Sequence, residues 1–221
     1  LKSAQVFEYI NHAEDFGISV KGAKADFNNV VSRSRDVADG MSKGIDFLMK
    51  KNKIEVIMGS ATVKAGKKIE VVDTDGKTTE YSASNIIIAT GARSRELPNL
   101  PQDGKKIIGY RKAMTLEKKP SKLVVVGSGA IGVEFAYFYN AMGVDVTVVE
   151  YMPNIVPVED EDVSKQLARS FKKSGINVMT NSSVESVDTS GKGCVVSVKT
   201  KKGEEKIECD VVLSAVGIQA N

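Results

Sequence analysis

Residues 122–150, KLVVVGSGAIGVEFAYFYNAMGVDVTVVE, constrain the fold more than any other stretch of the chain. LVVV is a short apolar run without alternation, the pattern of a strand covered on both faces. It leads straight into Gly127-Ser128-Gly129-Ala130-Ile131-Gly132, after which residues 130–142 read as a helix and 144–149 as a second strand. A Gly-x-Gly-x-x-Gly spacing alone is weak, because glycine is common in turns. Between a strand and a helix each glycine acquires a reason: Gly127 permits the tight turn, Gly129 keeps a side chain out of the space above it, and Gly132 lets the helix press against the sheet. Two strands joined through a helix pair in parallel, so this segment dictates an α/β architecture.

The first N–H groups of helix 130–142 have no partners within the helix, and its dipole places partial positive charge there, which suits a phosphate. Glu150 ends the second strand about 20 residues after the first glycine, where the acidic residue of a dinucleotide fingerprint falls. A carboxylate there accepts hydrogen bonds from a ribose 2′-OH and repels a 2′-phosphate, so the expected ligand is NAD and not NADP. No Lys or Arg follows until Lys165. The plainer alternatives are a structural glycine turn and an exposed carboxylate at a strand end.

After Glu150 come a connection through Pro153 and Pro157, helix 160–174 and strand INVMT, completing a β-α-β-α-β order. SSVESVD, CVVSVKT, the turn Lys202-Gly203 and EEKIEC then read as a meander, and DVVLSAVG as a buried strand. Upstream, Val6, Tyr9, Ile10, Ala13 and Phe16 give residues 1–16 a helical spacing. A second helix is expected at about 27–51, with Val30, Val31, Val37, Met41, Ile45 and Leu48 on a face that should pack in the core. IEVIMGSATV, KKIEVV, the turn Asp75-Gly76, KTTEY and NIIIATG follow, as strands ending in a buried one. The Pro-, Arg-, Lys- and Gly-rich stretch 92–120 marks a connection, and the expected domains are 1–95 and 96–221.

The two halves repeat one design. IEVIMGSATV (54–63) matches INVMTNSSV (176–184), and SASNIIIATG (82–91) matches IECDVVLSAVG (207–217). The second copy begins with the Gly-rich strand at Lys122, whereas no such strand precedes Ile54. The chain is therefore expected to be an internal fragment whose first copy lacks its nucleotide-binding strand and turn. Thr90-Gly91 and Val216-Gly217 close the two copies at the carboxyl end of a buried strand, where ligands approach an open α/β sheet.

Composition excludes other classes. A formal charge of +3, with acidic and basic residues interspersed, argues against nucleic acid as a partner. No apolar run is long enough to span a membrane and no targeting segment is visible, so a soluble cytoplasmic protein is expected. Cys194 and Cys209 fall on what look like neighbouring strands of a hairpin, without the spacing of a redox or metal motif, and read as free thiols.

NIIIATGARSRELP, KLVVVGSGAIGVEFA, VTVVEYMPNIVPVEDEDVSKQL and CDVVLSAVG, in that order, resemble the pyridine nucleotide-disulphide oxidoreductases over essentially the whole chain. The resemblance implies a Rossmann-like NAD-binding domain with a parallel sheet and β-meander, joined to the truncated remainder of a similar FAD-binding domain. Ala61, Thr90, Gly91 and Ala92 would lie along FAD. Gly127, Ser128, Gly129, Ala130, Ile131, Gly132, Glu134, Glu150, Val184 and Gly217 match the NAD positions. Glu134 resembles a family glutamate that supports the region between nicotinamide and flavin; its plainer reading is a carboxylate stabilised by the helix dipole. Within the family the nearest likeness is to the members that reoxidise dihydrolipoyl groups, which implies homodimers serving the lipoyl domains of 2-oxo acid dehydrogenase complexes. Alternatives are another flavoprotein disulphide reductase, an NADH oxidase, or an inactive NAD-binding module. The family's vicinal cysteine pair and C-terminal histidine base are not among these residues. His12 matches no catalytic position and is expected on a helix surface.

Overall fold

The computed structural model describes all 221 residues. Its elements are α1 (Lys2–Asn11), a 3-10 turn (Ala13–Phe16), α2 (Phe27–Lys51), β1 (Ser60–Lys64), β2 (Lys68–Val72), β3 (Thr78–Ser82), β4 (Ala92–Ser94), β5 (Ile107–Ile108) and α3 (Tyr110–Ala113). They continue with β6 (Lys122–Val126), α4 (Ala130–Ala141), β7 (Asp145–Val149), α5 (Glu161–Lys173), β8 (Asn177–Met179), β9 (Ser183–Asp188), β10 (Cys194–Thr200), β11 (Gly203–Cys209), β12 (Val211–Ser214) and β13 (Ile218–Ala220). Two compact units result, one of Leu1–Arg33 with Ala92–Asn221 and one of Ser34–Gly91.

In the larger unit five parallel strands form a sheet in the order β5-β12-β6-β7-β8. Its side chains alternate between two cores. Leu123, Val125, Val146, Val148 and Leu213 meet Ala136 and Tyr139 of α4 and Phe171 of α5. Val124, Val126, Val149 and Val212 meet Val184, Val196 and Val198 of the antiparallel meander β9-β10-β11. Being covered on both sides is why these strands are apolar at successive positions. Burying each such valine stabilises the fold by roughly 1.5–3 kcal/mol.

Helix α5 starts at Asp160, whose side chain accepts from the Asp162 N–H at 2.8 Å, and it carries Lys172 and Lys173 in its last turn, so both ends complement the dipole. Helix α1 lies against α4, with the Tyr137 hydroxyl donating to Glu8 at 2.6 Å. The expected single helix over 1–16 is interrupted: α1 ends at Asn11, and the 3-10 turn closes on Gly17 at φ 74°.

The smaller unit is the carboxyl-terminal part of α2 and the antiparallel sheet β1-β2-β3. The turn through Asp75-Gly76 is as expected, with the Asp73 carboxylate accepting from the N–H groups of Asp75 and Lys77. Two expectations fail here. NIIIATG forms no strand, and Ile87 and Ile88 are 90% and 73% exposed; nor do residues 54–59, where Ile54, Val56 and Met58 are exposed. The second copy gives the reason. There the matching strands β8 and β12 pair with β7 and β6, and these 221 residues hold no first-copy counterpart of either. Most of the face of α2 expected in the core is also uncovered: Val37, Met41, Ile45 and Leu48 are exposed, Val30 and Val31 half-buried, and no residue along the helix is fully buried. An amphipathic pattern specifies a face, not what lies on it.

Candidate dinucleotide site

Strand β6 continues into Gly127, whose N–H still donates to the Val149 carbonyl at 2.9 Å before the chain turns at φ 95°. A Cβ at Gly127 would stand 2.5 Å from the Ala215 carbonyl oxygen, so the close approach of the end of β12 requires glycine as much as the positive φ does. A Cβ on Gly132 would collide with the Gly127 carbonyl, and its absence lets the first turn of α4 sit on the Gly-rich turn. Gly129 differs from both. It is the N-cap of α4 with extended backbone (φ −66°, ψ −179°), and nothing lies within 4 Å of where its Cβ would be. The fold does not need glycine there; open space above the helix N-terminus does. Ala130 is exposed, Ile131 half-buried, and the first turn of α4 holds no acidic residue to compete with an anion.

Glu150 follows β7 and is only 6% exposed, so the reading as an exposed strand-end carboxylate does not describe it. Its Oε2 accepts from the Ser128 N–H at 2.8 Å and the Ser128 Oγ at 2.6 Å, and its Oε1 accepts from the Met152 N–H at 2.7 Å. The backbone is tied down too, the N–H donating to Met179 and the carbonyl accepting from Ser182. A carboxylate offers about four lone-pair positions. One therefore remains on Oε1 for an incoming hydroxyl.

Ser128 is wholly buried, and its carbonyl accepts from Val156 N–H at 3.0 Å. Val156 is β-branched yet holds φ 43°, a backbone strain carried by the loop that closes over the Gly-rich turn. The supporting roles of Ser128 and Val156 were missed by motif reasoning, which treats Ser128 as a free position. A small side chain with a hydroxyl donor between the first two glycines is the signal that could have found the first.

The remaining positions divide. The Ala215 N–H donates to the Val126 carbonyl, which brings the end of β12 beside the turn, and Gly217 follows it, exposed, at φ 109°. Val184 lies in the core between sheet and meander, with its carbonyl held by the Asn99 side chain. Glu134 is exposed in the second turn of α4. Of the FAD positions, Ala61, Thr90 and Gly91 lie in the smaller unit, and Ala92 in the larger, paired with Ala220. The residues fit a dinucleotide at Gly127–Gly132, whereas no second Gly-rich cradle occurs among them for the FAD pyrophosphate. His12 is exposed beyond the end of α1. No helix is long and apolar enough to cross a membrane.

Comparison with known proteins identifies the family and the fold. The family model described as pyridine nucleotide-disulphide oxidoreductase matches residues 6–221. A dihydrolipoyl dehydrogenase of Rhizobium etli is 41% identical across 100% of this chain and 49% of its own length. One of Zymomonas mobilis subsp. mobilis is 38% identical across 100% of this chain and 48% of its own. Among solved structures, LpdA of Mycobacterium tuberculosis superposes with a TM-score of 0.88 at 29% identity, covering 100% of this chain and 48% of that one. The chain thus spans about half the length of the relatives it matches. Its fold is Rossmann-like α/β, and it belongs to the pyridine nucleotide-disulphide oxidoreductase family.

Proposed function

We propose that this chain is the NAD-binding part, with an adjoining FAD-side segment, of a dihydrolipoyl dehydrogenase. Residues 96–221 carry the NAD site and 1–95 the FAD side. The whole protein would pass electrons from a dihydrolipoyl group through an enzyme disulphide and FAD to NAD, as a cytoplasmic homodimer serving the lipoyl domains of 2-oxo acid dehydrogenase complexes. The observation that carries this reading is the open shelf at Gly129, backed by Gly127 and Gly132 and flanked by the buried carboxylate of Glu150.

Each residue of that shelf has a task. The N–H groups at the start of α4 receive the pyrophosphate, which Gly129 lets approach. The Glu150 Oε1 accepts from the adenine ribose, and its negative charge disfavours a 2′-phosphate. Gly217 and Glu134 would lie toward the nicotinamide, with Val184 supporting the sheet beneath. NAD bound here would supply the hydride acceptor, while the protein supplies position and electrostatics.

The test is titration of the purified 221-residue chain with NADH and NADPH, followed by fluorescence, with the protein's visible spectrum recorded beforehand. The expected result is NADH binding well ahead of NADPH by a colourless protein. Absence of NADH binding, or equal affinity for both nucleotides, would overturn the assignment of the site. A stoichiometric flavin spectrum would overturn the reading that these residues hold no cradle for the FAD pyrophosphate.

A further inference from the structure

Cys194 and Cys209 are direct partners in the antiparallel ladder of β10 and β11. Both are buried and unbridged. Partners of this kind have Cα atoms about 4.5–5.5 Å apart, within the span of about 4.4–6.8 Å that a disulphide bridges. Each thiol perturbs the other's titration, as side chains paired across the ladder do. The Cys194 Sγ also lies 3.9 Å from the Lys106 carbonyl and 3.8 Å from that of Asp210. Beside the pair is a cavity of about 410 Å³ whose lining includes both cysteines, with Lys122, Asp188, Lys192 and Asp210.

We propose that Cys194 and Cys209 form a reversible dithiol–disulphide site, oxidised by a small disulphide or diazene that enters this cavity. The site is separate from the dinucleotide shelf and does not depend on its assignment. With a disulphide oxidant, the Cys194 thiolate attacks one external sulfur, the external S–S bond breaks and the first thiol leaves. The Cys209 sulfur then attacks the Cys194 sulfur, a bond forms between the two cysteines, and the second external thiol leaves with the remaining proton. Two protein thiols are oxidised and one external disulphide is reduced to two thiols.

The order of attack follows from the surroundings. Burial raises the Cys194 thiol, but the Lys106 ammonium opposes that rise, whereas burial and the neighbouring Cys194 push Cys209 up to about 12. Cys194 is the better nucleophile, and the reaction accelerates as pH rises and thiolate accumulates.

Diamide is the probe, because its N=N bond takes up both protons and both electrons to become a hydrazine. Treatment of the folded chain is expected to lower the thiols titrated after unfolding from two to zero per chain. Mass should fall by about 2 Da, the chain should remain monomeric on a non-reducing gel, and dithiothreitol should restore both thiols. Cys194→Ser and Cys209→Ser should each lose the internal bridge. Survival of both thiols in the folded chain while the unfolded chain oxidises, or bridges between chains in place of the internal one, would overturn the proposal.

Discussion

The Glu150 carboxylate holds Ser128 through two hydrogen bonds at once, from its backbone N–H at 2.8 Å and its Oγ at 2.6 Å. The side chain proposed to select the ribose thereby also fixes the turn proposed to receive the phosphates. Glu150→Ala is expected to weaken NAD binding by about 1–3 kcal/mol, the scale of a lost charge-assisted hydrogen bond. Ser128→Ala keeps the charge and the backbone donor, so it should weaken NAD less. Glu150→Arg should improve NADP affinity by supplying a counter-charge. Calorimetric titration of the three variants with both nucleotides checks this, and affinities unchanged across the set would place Glu150 outside the ribose site.

Gly129 and Gly132 separate binding from folding. A Cβ on Gly129 meets nothing within 4 Å, so Gly129→Ala should leave the melting temperature nearly unchanged while weakening NADH binding, because the methyl group would occupy the approach proposed for the phosphate. Gly132→Ala drives a Cβ into the Gly127 carbonyl and should cost about 1–3 kcal/mol of stability as an overpacked contact. Melting curves paired with NADH titrations test both, and equal losses of stability in the two variants would refute the distinction.

Tyr139 anchors α4 to α3: it is fully buried, and its hydroxyl donates to the Ala113 carbonyl at 2.7 Å. Burial raises the phenol's pKa, so it remains a donor through the working pH range. Tyr139→Phe leaves that carbonyl without its donor and should cost about 1–2 kcal/mol in denaturant unfolding.

Asp103 should give the chain an acid-sensitive loop. Partial burial alone would raise its pKa, but backbone N–H groups of Lys105, Ile107 and Lys106, with the Lys106 charge, outweigh it and hold the carboxyl below its ordinary 3.8. A depressed folded-state pKa stabilises above the unfolded value and loses that contribution as pH falls through the folded one. The stability difference between the native chain and Asp103→Ala should therefore be constant above about pH 5 and shrink below about pH 4. Thermal melts across that range are the measurement, and a difference independent of pH would exclude the carboxylate as its source.

The legible parts of this molecule are those in which one local pattern determines one structure. The run 122–150 carries its own strand, turn, helix and second strand, and the hairpin joining Cys194 to Cys209 follows from two alternating strands about a Lys-Gly turn. What stayed hidden depends on a partner distant in sequence. NIIIATG has the composition of a strand, but a strand exists only where a neighbour accepts its hydrogen bonds. The bond from Ser128 to Glu150 was equally invisible, since a glycine fingerprint specifies where side chains must be absent and says little about the side chain between.

The uncovered run from Asn85 to Gly91 has a consequence for handling the protein. With Ile87 and Ile88 turned to water and no strand beside them, it presents β-branched side chains outside any sheet, the combination from which intermolecular sheets nucleate. Self-association of the chain should rise steeply with concentration and involve these residues. A lysine at position 87 would act as a gatekeeper, so Ile87→Lys should keep the chain monodisperse, by light scattering, at concentrations where the native chain forms higher-order species.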